Sequence, residues 1–438
     1  MQMNDLALKI SSLNFVKISG KTLSERSQAF NDWVNARRAL EVWPYSRVLL
    51  KPALHKTTIA NEYGLLGKVG INFASQDYLG LAYRQELKDA AYAAIDQFGV
   101  HSAGSPALCG RTSILLDLEA TIAKQLGFES CLIYPTGWAA GFGVVTGLVR
   151  EAETVLIDAL CHNCIQEGAK HATSNLRKFH HNDLNHLEQL LLEARASDVE
   201  GAIFVVTESL FSMDSDSPDL NAVVQLAQQY EAIVILDVAH DFGAMGEHGH
   251  GLIDTLNIPD WRDNVVVMGS FSKTFGANGG FVACTDSTRQ YLRCYSSPLM
   301  FSNAISPIQT QVIRCSMDIV FSAEGQCLRE KLAENVKRLR LEMNLKNLML
   351  AGLNSPIVPV FVDAEKDGEA VARLTSSYIL KDGLHANLVE FPSVPRGKSR
   401  FRFQVMATHE TEDIVTAATI MAKSRSAAIT ELAKLKST

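Results

Sequence analysis

No stretch of the 438-residue sequence runs for 18 uninterrupted apolar residues, so no membrane-spanning helix is expected. A basic footprint is missing as well. Charged residues make up 20% of the chain and the net charge is −7, which argues against nucleic acid as a partner. The opening Met1-Gln2-Met3-Asn4-Asp5-Leu6 has neither the basic region nor the apolar core of a signal peptide. The eight cysteines are scattered, which suits a reducing cytoplasm better than a disulfide framework. One pair, Cys161-His162-Asn163-Cys164, has CxxC spacing. Zinc would need two more ligands and none follows, while a redox pair would need a thioredoxin-like setting; no metal is expected. There is no internal repeat and no low-complexity segment. Apolar residues, by contrast, reach 47%, enough for a substantial core, and the length favours a large and a small domain.

Along the chain, Leu23 to Leu40 reads as an amphipathic helix ended by Trp43-Pro44-Tyr45. Helical spacing recurs at Glu86–Phe98, Ser113–Leu126, Leu184–Ala196 and Leu220–Tyr230. Between these lie apolar runs at Ser130–Tyr134, Thr154–Asp158, Asn175–Phe179, Ala202–Thr207, Ala232–Asp237 and Val265–Met268. Strands alternating with helices over about 200 residues indicate a mostly parallel sheet covered on both faces. After Lys273 the pattern changes to a mainly helical stretch from Ile305 to about Leu350. Short strands at Pro356–Val362, Ala386–Phe391 and Arg400–Val405 and a closing helix at Thr411–Lys434 follow. The expected organisation is an N-terminal segment 1–65, a large domain 66–305 and a small α+β domain 306–438.

Two stretches carry chemistry. Val265-Val266-Val267-Met268 delivers Lys273 into the loop Gly269–Gly280, whose small and hydroxylated residues let the backbone bend closely around a ligand. Upstream, the run of five apolar residues Ala232–Leu236 ends in Asp237, with His240 three positions on. Ligands of open α/β sheets bind at the carboxyl ends of strands, so these side chains converge on one crevice. Pyridoxal 5'-phosphate (PLP) needs such a set: a lysine for the Schiff base, an aspartate to keep the pyridine nitrogen protonated, and hydroxyls and N–H groups for the phosphate. The helix opening at Gly137-Trp138 presents free N–H groups and a positive dipole end to that phosphate.

Several ordered blocks then make a pattern: Asn72-Phe73-Ala74-Ser75 with Tyr78-Leu79-Gly80, Pro135–Ala140, His181-Asn182-Asp183, Phe211-Ser212-Met213-Asp214, Asp237-x-Ala-His240, Ser270-x-x-Lys273, and Pro395-x-Gly397-x-x-Arg400-x-Arg402. The chain resembles the α-oxoamine synthases, fold-type I PLP-dependent transferases that include 8-amino-7-oxononanoate synthase, glycine C-acetyltransferase, 5-aminolevulinate synthase and serine palmitoyltransferase. The resemblance implies an α/β fold, with a large domain on a mostly parallel sheet of the seven-stranded type and a smaller α+β C-terminal domain. It also implies roles. Lys273 would hold PLP and move the α-proton, Asp237 would pair with the ring nitrogen, His240 would touch the ring oxygen and His162 would stack on the ring face. Gly137, Trp138 and Ser270 would bind the phosphate, with Thr136 and Ser212 completing the cofactor set. Ser302 and Asn303 would reach the neighbouring subunit's phosphate site, implying a homodimer with shared active sites. Arg402 would grip the amino-acid carboxylate, for which its planar fork is suited.

The reaction so implied is a decarboxylative condensation of an amino acid with an acyl thioester, delivered by CoA or a carrier protein, to an α-aminoketone. Some positions depart from the family pattern. Gln76 replaces an asparagine near the substrate, Leu115 a histidine, and Glu390 an arginine, while Val238 and Asp241 flank the Asp237–His240 motif with unusual residues. The carboxylates of Glu390 and Asp241 suggest a cationic substrate such as arginine, as in saxitoxin-type condensing domains. The competing reading has both carboxylates solvated or paired with Arg400 or Lys398. Rival functions are a fold-type I aminotransferase, a lyase using no thioester, and an inert partner subunit, which would lack the lysine.

Overall fold

A computed structural model describes residues 3–64, 67–198, 200–362 and 367–437. The chain forms two compact units: Asp77–Ser212 with Asp216–Glu330, and Met1–Gln76 with Met213–Ser215 and Lys331–Thr438. The expected boundary at 65/66 lies outside the described residues. The one at 305/306 moves to 330/331, because the helix Pro307–Val320 packs on the helices Gln85–Phe98 and Ser113–Leu126 of the first unit. The expected helical stretch from Ile305 is therefore two helices, Pro307–Val320 and Ala323–Leu345, and the division falls inside the second.

The N-terminal segment is not a unit of its own. Its strands β1 (Arg47–Leu49), β2 (Lys56–Asn61) and β3 (Lys68–Phe73) form one sheet with the three C-terminal strands. β3 lies parallel to a C-terminal strand, Ile71 facing Leu384, so the two ends of the chain build one core.

The larger unit holds a second sheet. Its strands are β4 (Ser130–Tyr134), β5 (Thr154–Asp158), β6 (Leu176–Phe179), β7 (Ile203–Glu208), β8 (Ile233–Asp237), β9 (Val265–Ser270) and β10 (Gly280–Cys284). Their order is β4-β10-β9-β8-β7-β5-β6, and β10 alone runs against its neighbours. The mostly parallel seven-stranded sheet is as expected; β10 itself, directly after the lysine loop, has no counterpart in the sequence reading. β4, β5, β7, β9 and β10 are buried at every position, which is why they read as continuous apolar runs rather than alternating ones. The core between sheet and helices includes Val144, Val155, Ile165, Val206, Ile235 and Met268. Two close approaches tighten it: a Cβ on Gly141 would sit 2.5 Å from the Cys164 sulfur, and one on Gly168 would sit 3.2 Å from the Phe142 carbonyl.

The CxxC pair belongs to this packing. Cys164 is seated against Gly141, and the Cys161 thiol donates to the Val206 carbonyl at 3.5 Å. Burial raises both thiol pKa values, so neither is a thiolate. All eight cysteines are free, and among the described residues no group of His, Cys, Asp and Glu could hold a metal. Nor, among them, is any helix long and apolar enough to cross a membrane.

The second unit is completed by β11 (Ile357–Phe361), β12 (Leu384–Val389) and β13 (Arg400–Gln404), in the order β1-β2-β3-β12-β13-β11. The helices Gly368–Lys381 and Thr411–Ser437 pack together. The motif Asn72-Phe73-Ala74-Ser75 is a structural corner here. Asn72 Nδ2 donates to Leu54 O and Ser75 Oγ, both at 2.9 Å, and Phe73 stacks on His409 with ring centres 4.0 Å apart. His409 Nδ1 accepts the Met406 N–H (2.9 Å), so its Nε2 donates to Asn72 O (3.0 Å) and the ring is neutral; burial holds its pKa down at about 4.

Candidate active site

Lys273 sits on the loop between β9 and β10, whose strands pair antiparallel from Ser270 opposite Gly280. Phe271, Thr274 and Phe275 anchor the loop in the core, while Lys273 stays partly exposed. Gly276 has φ +62, and a Cβ there would lie 2.9 Å from the Ala82 backbone, so a side chain is excluded twice over. At the loop's start the hydroxyls of Ser270 and Ser272 are 2.8 Å apart.

The neighbouring strand ends supply two carboxylates side by side. Asp237 ends β8 and stands in register with Glu208, which ends β7. They are 7% and 4% exposed. Asp237 Oδ1 accepts the Ala239 N–H (2.8 Å). Burial raises its pKa, while the charge of Lys273 pulls it back down. Burial, and after it the charge of Asp237, pushes the Glu208 pKa well above the ordinary carboxylate range. Glu208 also accepts the His162 main-chain N–H. His162 caps the helix Asn163–Ala172: its Nδ1 accepts the Cys164 N–H (3.3 Å), and its imidazole is exposed. His240 is buried and shares a 2.9 Å hydrogen bond with the Tyr78 hydroxyl through Nδ1. Sequence reasoning missed Glu208 and Tyr78 as site residues. Glu208 carried the same signal as Asp237, an acid ending an apolar run; Tyr78 stood in one of the ordered blocks but was given no role.

Across from the serines, Thr136 Oγ1 caps the helix Gly137–Leu148 by accepting the Ala139 N–H (3.0 Å). A Cβ on Gly137 would sit 2.4 Å from Ser270 Oγ, so glycine brings the helix N-terminus against the serine hydroxyls. Trp138 is 49% exposed and stacks on Phe142 with ring centres 5.2 Å apart. Amine, shielded carboxylate, exposed imidazole and an N–H/hydroxyl cradle thus occupy one end of one sheet. That donor set fits PLP: Lys273 for the aldehyde, Asp237 for the ring nitrogen, and the Gly137 end with Ser270 for the phosphate.

Arg402, Gln76 and Glu390 belong to the other unit, and Arg402 is partly exposed on β13 with Nη1 3.7 Å from the Met213 sulfur. The motif Phe211-Ser212-Met213-Asp214 is divided. Phe211 and Ser212 stay in the larger unit, while the Asp214 carboxylate pairs with Arg400 in the other, and Ser215 Oγ is 2.8 Å from Ser355 Oγ. Ser302 and Asn303 are exposed after the short helix Ser297–Phe301, with Phe301 86% exposed beside them.

Two expectations need correction. Glu390 is not a free carboxylate for a cationic substrate. It is buried and bonded to Arg37 Nη1 (2.8 Å), Arg373 Nε (2.6 Å) and the Tyr45 hydroxyl (3.0 Å). Asp241 is buried as well: Oδ1 accepts from Ser209 Oγ and Oδ2 from the Leu252 N–H, each at 2.6 Å. Burial raises its pKa to about 7. Neither partner anticipated for them, Arg400 or Lys398, is involved; Arg400 is taken by Asp214.

His181 carries a different kind of constraint. Its Nδ1 meets Asp158 Oδ1 at 2.9 Å and its Nε2 meets Asp216 Oδ2 at 3.0 Å, so both ring nitrogens donate and the imidazole is charged. Burial opposes that charge, but the two hydrogen bonds outweigh it and hold the pKa up at about 10. With the folded value above the ordinary 6.5, the stabilisation is complete below pH 6.5 and disappears as pH rises through 10. His181→Gln is therefore expected to lower stability by about 2 kcal/mol at pH 6. Chemical denaturation of both proteins should show that gap closing between pH 6.5 and 10; a gap independent of pH would contradict the charged clamp.

A family model described as aminotransferase class I and II matches residues 68–420. The chain is 32% identical to the 8-amino-7-oxononanoate synthase of Petrotoga mobilis over 348 residues, 80% of this chain and 86% of that one. It is equally similar, 32% over 390 residues, to the enzyme of that name from Salmonella enteritidis PT4, covering 88% and 96% of the two chains. A serine palmitoyltransferase from S. paucimobilis, solved with bound PLP, shares the fold with a TM-score of 0.84 at 24% identity, covering 93% of this chain and 99% of that one. The residues at the strand ends and these likenesses agree: the chain belongs to the aminotransferase class I and II family, among its PLP-dependent α-oxoamine synthases.

Proposed function

We propose that this protein joins an amino acid to an acyl thioester with loss of CO2, releasing an α-aminoketone and a free thiol. The observation that carries the reading is Lys273 on a loop closed by β9 and β10, acting on the Asp237 carboxylate at the adjacent strand end. PLP, when bound, supplies the electron sink. Asp237, which accepts the Ala239 N–H and feels the charge of Lys273, is the carboxylate for the ring nitrogen. His162 covers the ring face, and His240, held by Tyr78, faces the ring oxygen. Gly137, Trp138, Thr136, Ser270 and Ser212 hold the phosphate end; the family resemblance alone assigns Gln76 and Arg402 to the amino acid, Arg402 having the planar fork that suits a carboxylate. Lys273 Nζ takes the proton from the α-carbon and returns one after the condensation. In balance, the α-carbon gains a bond to the acyl carbon, the acyl C–S bond breaks with the sulfur leaving as thiol, and the α-carboxylate departs as CO2.

Exposed Phe301, Ser302 and Asn303 support a homodimer in which each subunit completes the other's phosphate site. Eight free cysteines support a cytoplasmic setting. For the amino acid, burial of Glu390 and Asp241 removes the charge that favoured arginine. The 32%-identical relatives point instead to a product ending in CH3–CH(NH2)–CO–, which is alanine without its carboxylate joined to an acyl group. PLP-loaded protein should be given arginine, alanine, serine and glycine with an acyl-CoA, reading thiol and CO2. Equal release of both with alanine is expected. Amino-group transfer to a 2-oxo acid without thiol release would establish the aminotransferase reading in its place. Preference for arginine would restore the cationic substrate.

A further inference from the structure

Glu208 has no role in the reaction proposed above, yet its geometry is specific. It closes β7 directly opposite Asp237, and in a parallel pair residues in register project to the same face. Both carboxyl groups therefore stand at the end of the sheet where Lys273 arrives. One Glu208 oxygen, Oε1, takes the main-chain N–H of His162, 46 residues away in sequence. That N–H lies at the turn leading into the helix Asn163–Ala172, where the His162 ring also folds back on the Cys164 N–H. The imidazole is exposed, and its Nδ1 meets the Cys164 N–H and sulfur (2.9 Å to the sulfur) within the same turn, so fixing the turn fixes the ring.

We propose that Glu208 is a positioning residue: by holding the His162 main chain to the end of β7, it sets the imidazole over the site that Asp237 and Lys273 define. The role of the imidazole rests on the reaction proposed above; the hold on the turn does not. The groups that face Glu208 are Asp237, Asp158 and Lys273, with the buried thiols of Cys161 and Cys164 alongside. In that company a neutral acceptor suits the contact as well as an ionised one. The carboxamide of a glutamine is thus expected to replace it, whereas a methyl group cannot.

Hydrogen exchange of peptides spanning 160–166 in PLP-free protein reads the hold directly. Glu208→Ala is expected to speed exchange there about tenfold, the effect of losing one hydrogen bond to a buried acceptor, and Glu208→Gln to stay within about twofold of wild type. Should Glu208→Ala not fold, Glu208→Asp withdraws the oxygen by one methylene and carries the same expectation. With PLP and substrates, the alanine variant should lose about tenfold or more in kcat with little change in KM for the amino acid, and the glutamine variant should recover most of it. Unchanged exchange in Glu208→Ala, or equally fast exchange in Glu208→Gln, overturns the proposal. Because exchange is read without cofactor, a failed condensation assay with intact exchange differences would overturn the reaction instead.

Discussion

Lys273→Ala is expected to remove turnover almost completely, by at least about 10³-fold, together with the visible absorbance of lysine-bound PLP. The argument is one of position. Lys273 is carried on a loop whose ends are fixed by strand pairing, and its charge is felt at both buried carboxylates, Asp237 and Glu208. Removing it takes away the covalent holder, the α-proton carrier and the cation that favours ionised Asp237. Lys273→Arg separates these roles, since it keeps the charge but neither the nucleophile nor a usable proton. It should bind PLP more tightly than the alanine variant and turn over no better. Near-normal thiol release by Lys273→Ala would end the proposed mechanism.

The second large effect concerns stability. Glu390→Ala should lower unfolding free energy by about 3–5 kcal/mol, the usual result of removing one partner from a buried ion cluster. Arg37 and Arg373 are both buried and share this one carboxylate. Their remaining donors reach the carbonyls of Ala7, Leu8 and Ile10 around the end of the helix Met3–Lys9, which cannot neutralise two cations. Burial pushes the Glu390 pKa up, but Arg373 and Arg37 outweigh it and hold the carboxyl below its ordinary 4.5. The contribution is thus complete above pH 4.5 and fades as pH falls through the depressed value. Denaturant titration at pH 7 and pH 3.5 would show the gap between wild type and Glu390→Ala shrinking at the lower pH. Replacing all three charged residues by apolar ones of similar volume should be milder than the single change. An altered amino-acid preference with stability intact would instead return Glu390 to the substrate.

The contrast between Lys273 and Glu390 shows what a sequence discloses. Lys273, Asp237 and His240 were legible because each follows a buried strand closely, and position at a strand end already says where the side chain goes. Glu390 and Asp241 were misread because charge is visible in a sequence and the partner that consumes it is not. Arg37 lies 353 positions from Glu390, and only pairing of β3 with β12 assigns both ends of the chain to one core. Asp241 was hidden by nearer partners, Ser209 and Leu252, because the glycine-rich turn after His240 folds back on itself. Glu208 went unread although it sits as Asp237 does. Its motif was taken up by the residues after it.

The single reversed strand in the larger sheet bears on how this protein can diverge. Phe281 and Ala283 face one side of β10, Val282 and Cys284 the other, and all are buried against structure. Adding or deleting one residue between Ser270 and Gly280 would turn the strand over and present each side chain to the wrong layer. The lysine-bearing arc is therefore held in length as well as at Lys273 and Gly276, by packing remote from any chemistry.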